Sequence, residues 1–110
     1  MPRNELVVRI TPQADTVTVV LVGEAHFDFD AADKYIQNVM VHAPKQVIVD
    51  ASGLTFMSSV GMCFLLSLRR AVKDAGGSLK IASLQPMVRQ ALEYARVIHL
   101  FELLPPPPTT

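Results

Sequence analysis

The chain has 110 residues, half of them hydrophobic and 18% charged, which describes one packed domain and excludes a disordered chain. Ten Lys and Arg balance ten Asp and Glu, so no basic excess points to direct nucleic-acid binding or to an anionic membrane surface. Apolar runs such as VGMCFLL are too short to insert across a bilayer, the N-terminus lacks the layout of a secretion signal, and the lone Cys63 has no internal disulfide partner, so a cytoplasmic protein is expected.

Along the chain, LVVRI (Leu6 to Ile10) is rich in β-branched residues, PQAD carries turn-forming types, and TVTVVLVG resumes a strand pattern that Gly23 is expected to break. So short a separation predicts an antiparallel hairpin. After the loop EAHFDF, Asp30 is the expected N-cap of a helix with Asp33 in its first turn. Ala32, Tyr35, Ile36, Val39 and Met40 recur there at helical spacing, and Pro44 supplies the stop. QVIVD (Gln46 to Asp50) reads as a buried strand.

A second helix is expected from about Ser59 to Ala75, ended by Gly76 and Gly77. Its polar residues Ser67, Arg69, Arg70, Lys73 and Asp74 leave Phe64, Leu68, Ala71, Val72 and Ala75 for the core. SLKIAS (Ser78 to Ser83) is another strand. Pro86 opens a third helix with Val88, Ala91, Leu92 and Ala95 on one face, VIHLFELL suits a short last strand, and PPPPTT is expected to extend as polyproline. The order is β-β-α-β-α-β-α with room for a final β, and no repeat or second domain is visible. This predicts an α/β single domain over residues 1–104 with a tail at 105–110. A mixed four- to five-stranded sheet should carry about three helices mainly on one face, leaving the other more open, and the unit from Gln46 to Ser83 should form a right-handed parallel crossover.

Two adjacent serines, Ser58 and Ser59, open the second helix. A cap uses one hydroxyl and is worth roughly 1 kcal/mol. If Ser58 caps, Ser59 occupies the first helical position, facing solvent beside unpaired N–H groups where an anion is welcome. A phosphate there adds about −1.5 to −2 charges. Val60, Met62, Leu65 and Leu66 crowd the same turns, and a helix on a sheet buries only one stripe. Two readings stay open on the residues alone. In one, all of these side chains are core and both serines are helix starters; in the other, some of the apolar groups face outward as a docking surface around Ser59.

The stretch VIVDASGLTFMSSVGMCFLLSLRRAVKDAGGSLKIAS resembles the central segment of STAS domains, especially the small bacterial anti-sigma factor antagonists. The matching residues are Asp50, Ser52, Leu54, Phe56, Met57, Ser58, Ser59, Gly61 and Met62, and Leu21, Gly23 and Glu24 match an earlier L-x-G-E segment. The resemblance covers nearly the whole chain. It implies a STAS-like fold without catalysis or cofactor, working as a partner switch. The unphosphorylated antagonist binds an anti-sigma factor that is also a serine kinase; phosphorylation of the serine opening this helix releases it; a serine phosphatase resets it. By position Ser59 is the implied acceptor, with Ser58 the cap or minor alternative acceptor. The implied partner-binding residues are Ser58, Ser59, Met62, Leu65 and Leu66, with His26 and Asp28 from the neighbouring loop. The chain departs from the commoner pattern at Ser58 (often Asp), Val60 (often Ser or Thr), His26 (often Asp) and in its proline end. The alternative is a constitutive STAS subunit of a transport assembly, such as a phospholipid ABC transporter, in which the serine is only an interface contact.

Other groupings are weaker. Ser59, His26 and Asp28 could be drawn as a hydrolase triad, but no G-x-S-x-G elbow is present. His26, His42 and His99 lack metal-ligand spacing, so no metal is expected. His26 is either a receiver for a phosphate on Ser59 or a solvated loop residue. Cys63 is expected to be a small buried hydrophobe, Asp50 to cap the loop after its strand, and the cluster Asp28, Asp30 and Asp33 to complement a helix dipole or meet basic partner residues.

Overall fold

The computed structural model describes residues 7–25 and 29–104. Five strands form one sheet in the order β1 (Val7–Gln13), β2 (Thr16–Ala25), β3 (Gln46–Met57), β4 (Ser78–Ala82) and β5 (Glu102–Leu104). The first pair is antiparallel and the other three are parallel. Helices α1 (Phe29–Met40), α2 (Ser59–Asp74) and α3 (Pro86–Tyr94) make the crossovers, and a single 3-10 turn at Ile98–Leu100 precedes β5. The sheet is thus mixed, as the element order predicts, and both β2–α1–β3 and β3–α2–β4 are parallel crossover units.

Strand alternation places the core. Val17, Val19 and Leu21 on β2 pair with or neighbour Val47, Val49 and Ala51 on β3, and these with Leu79 and Ile81 on β4; all are buried on one face. The opposite face carries Thr16, Thr18, Val20, Gln46, Ile48, Asp50, Ser78, Lys80 and Ala82, none of them fully buried. The helices supply the other half of the core through Ala32 and Val39, through Phe64, Leu65, Leu68 and Val72, and through Val88 and Leu92. At about 1.5–3 kcal/mol for each large aliphatic or aromatic side chain, this single layer is the main source of stability.

Local signals account for the ends of most elements. Gly76 has φ 87°, and the N–H groups of Gly76 and Gly77 donate to the carbonyls of Lys73 (2.9 Å) and Val72 (2.8 Å), which closes α2 as a Schellman motif. The same pair of bonds ends α3, from Arg96 to Glu93 (3.0 Å) and Val97 to Leu92 (3.1 Å), with Arg96 itself at φ 60°. Pro86 stands at the start of α3, where its missing N–H is no loss.

Several expectations are corrected. The hairpin turn is only Ala14–Asp15, with Ala14 at φ 54°, while Pro12 and Gln13 belong to β1. Proline is tolerated there because β1 is an edge strand. Gly23 does not end β2; it adopts φ 102° inside the strand at a register shift. Asp30 lies within the first turn of α1 instead of capping it. Ala75 and Ala95 are exposed C-cap residues, because each helix stops just where its apolar stripe would have reached them. The strand expected to end at Asp50 continues to Met57. The expected tail, residues 105–110, lies outside the described residues.

Candidate functional site

The continuation of β3 shapes the site. Between Val20↔Asp50 and Val22↔Gly53, β3 has two residues opposite one on β2; between Gly23↔Leu54 and Glu24↔Phe56 it has one opposite none. Each shift inserts an extra residue, so the buried positions step from Val47, Val49 and Ala51 to Leu54 and then Met57. Side chains pin both irregularities. Asp50 Oδ1 accepts the Ser52 N–H at 3.0 Å, Gln85 Nε2 donates to the Ser52 carbonyl, and Thr55 Oγ1 donates to the Gly23 carbonyl at 3.2 Å. Asp50 therefore makes a local turn contact beyond its strand pair, in keeping with a capping role.

The bent strand delivers Ser58 directly into α2. Ser58 is extended (φ −78°, ψ 172°) and half-buried; its Oγ accepts the Gly61 N–H at 3.1 Å, and its carbonyl accepts the Met62 N–H at 3.0 Å. It is the N-cap. Ser59 is then the first helical residue and is exposed. No acidic side chain occupies the first turn, so the positive end of the helix dipole has no charged complement within that turn. The site is an exposed hydroxyl at an electropositive helix start.

The rest of the helix divides sharply. Gly61, Phe64, Leu65, Leu68 and Val72 form the buried stripe, and the Phe64 ring meets Tyr35 of α1 edge-on with centroids 6.4 Å apart. Leu65 is 1% exposed, so it is a core residue and not part of a docking surface. Ser59, Met62, Cys63 and Leu66 follow i, i+3, i+4, i+7 spacing on the outer side. Met62 and Leu66 are half-buried, each resting partly on the core, and Cys63 is exposed, contrary to its expected burial. The reason is phase: with Phe64 and Leu68 facing the sheet, Cys63, one residue before Phe64, points about 100° away from it. His26 and Asp28 lie outside the described residues.

Two features escaped the sequence. Phe56, two residues before the cap, is 40% exposed beside Glu24, its partner on β2. A groove of about 230 Å³ between α1 and α2 is lined by Asp30, Ala32, Asp33, Ile36, Cys63, Phe64 and Ser67, giving one wall an acidic rim. Among the described residues no three His, Cys, Asp or Glu side chains are grouped to hold a metal ion, and no helix is long and apolar enough to cross a membrane.

A family model described as "STAS domain" matches residues 3–107. No curated protein matches the chain. Among solved structures, an anti-sigma factor antagonist from Mycobacterium paratuberculosis superposes with a TM-score of 0.76 at 20% identity, over 93% of this chain and 87% of that one. The anti-sigma factor antagonist SpoIIAA in its unphosphorylated form gives 0.73 at 19%, over 90% and 89%. A sulfate transporter family protein from Wolinella succinogenes gives 0.57 at 21%, over 74% and 70%. At these identities the likeness is one of fold. The family match extends over nearly the whole sequence, and the chain belongs to the STAS domain family.

Proposed function

We propose that the chain is a cytoplasmic, non-enzymatic anti-sigma factor antagonist that works as a phosphorylation-controlled partner switch. Its partner is an anti-sigma factor with serine kinase activity, and a serine phosphatase returns it to the binding state. The observation that carries this reading is the division of labour between the two serines: Ser58 is committed to the Gly61 N–H, and Ser59 is left exposed at the first helical position. A phosphate on Ser59 meets a helix start that favours negative charge, so the domain keeps its fold while the docking face changes by about −1.5 to −2 charges. Met62 and Leu66 continue the outer side of α2 from Ser59, and Phe56 is exposed two residues before the cap, so the docking face has apolar contact area; the acidic rim at Asp30 and Asp33 suits basic partner residues.

The test is capture from native-host lysate with Ser59→Ala and Ser59→Asp baits, identified by mass spectrometry. A kinase-type anti-sigma factor held by the alanine bait and lost from the aspartate bait is the expected result. A second reading draws on the similarity to the sulfate transporter family protein: a constitutive STAS subunit of a transport assembly. Transporter components held equally by both baits would establish it and reduce Ser59 to an interface contact.

A further inference from the structure

The last residue of β3 paired to β4 is Asp50, opposite Ala82; from there to Met57 the strand pairs with β2. Two residues past that point, Ser52 has both of its backbone groups met by side chains. Its N–H is held by Asp50 Oδ1 at 3.0 Å and its carbonyl by Gln85 Nε2. Gln85 occupies the N-cap position of α3 but makes no side-chain cap bond there. The following Pro86 has no N–H, so α3 starts with one donor fewer for a cap to satisfy. The amide is therefore spent across the gap, tying α3 to the strand that leads into the two serines.

We propose that Gln85 is a positioning residue for the Ser58–Ser59 corner: it substitutes for the missing β4 pairing at Ser52 and so fixes where the bulged end of β3 hands over to α2. Five residues, Gly53 to Met57, separate the anchored Ser52 from the cap, and the second bulge within them is pinned by Thr55 to Gly23. Releasing the Ser52 carbonyl lets this stretch shift against α2, and the Ser58–Gly61 cap bond loosens with it. The biological meaning of this anchor rests on the reading of Ser59 as a switch, but its structural effect does not.

The experiment is residue-resolved amide hydrogen exchange on the whole chain, without partner or phosphate. Gln85→Glu keeps the shape of the side chain and removes the donor; Gln85→Ala removes the side chain. In both, the amides of Gly53 to Met57, Gly61 and Met62 are expected to exchange about tenfold faster, the effect of losing one hydrogen bond's worth of local protection. Those of Val47, Val49, Leu68 and Val72 should stay as they are. Asp50→Ala should reproduce the pattern from the N–H side, and Asp50→Asn, which keeps an acceptor oxygen, should restore it. Unchanged exchange at Gly61 and Met62 would overturn the proposal. So would a uniform rise that includes Val47 and Leu68, since that describes a residue contributing only to overall stability. Because no partner is involved, the exchange result holds whichever way the lysate capture falls, and a failed capture leaves it intact.

Discussion

At the end of the sheet where β1 turns into β2, backbone groups tie the loops together. The Asp15 carbonyl accepts the N–H groups of Lys45 (2.8 Å) and Gln46 (3.2 Å), and the Lys45 carbonyl accepts that of Ser78 (3.0 Å). A Cβ on Gly77 would stand 2.9 Å from the Lys45 carbonyl and 3.1 Å from that of Pro44, so the chain there is closed to any side chain. At the opposite end, around Ser52, Thr55 and Ser58, the same task falls to side chains: Asp50, Gln85, Thr55 and the Ser58 hydroxyl. Backbone ties give a rigid base that depends on little besides glycine. Side-chain ties leave the serine end with exposed groups, open to change by substitution or modification.

That contrast can be pressed at four points. The largest effect should come from the inner side of the serine helix: Leu65→Ala is expected to cost about 3 kcal/mol in urea unfolding, as a large-to-small change in a closed core. Leu66→Ala, on the outer side, should cost under about 1 kcal/mol, and equal losses would show that the division of α2 into buried and outer faces is wrong. Next, Gly77→Ala is expected to cost about 2 kcal/mol, because the atoms it meets include two backbone carbonyls that cannot step aside. A neutral result would mean that the base is as adaptable as the serine end.

Ser58→Ala should cost about 1 kcal/mol, the usual loss of an N-cap, with faster amide exchange confined to the first turn of α2. Ser59→Ala should lie within about 0.5 kcal/mol of the parent, since the residue is exposed and the cap is elsewhere. The last effect, of similar size, has the opposite sign. Ser59→Asp should raise stability by about 0.5 kcal/mol at low ionic strength, through the helix dipole, and the gain should fade with added salt. Destabilisation by the aspartate would argue that the helix start does not receive a negative charge favourably.

Much of this arrangement can be read from neighbouring residues alone. Ser58 before an apolar helix, Gly76–Gly77 after it, Pro86 opening α3 and a four-residue turn-forming segment between two β-branched runs each act over a few positions, and each marks an element boundary to within a residue or two. The pair of serines could be assigned to cap and exposed neighbour on the same basis. The position of Ser59 at the head of α2 was thus legible, and so was the mixed sheet with its helices on one side.

What the sequence could not settle depends on contacts with distant chain. The stretch ASGLTFM breaks the two-residue alternation of a strand, and it is strand only because β2 pairs with it through two bulges and Gln85, 33 residues later, holds Ser52. The opening turns of α2 are apolar nearly all round, so Leu65 and Leu66 are equivalent by composition; the sheet beneath decides that Leu65 is core and Leu66 faces outward, and the same rotation exposes Cys63. Caps, glycines and prolines act on backbone groups within a few residues of themselves, which is why the sequence marks where α2 and α3 start and stop. Which face is buried, and how far a strand runs, are properties of the partner surface, and only the tertiary structure supplies it.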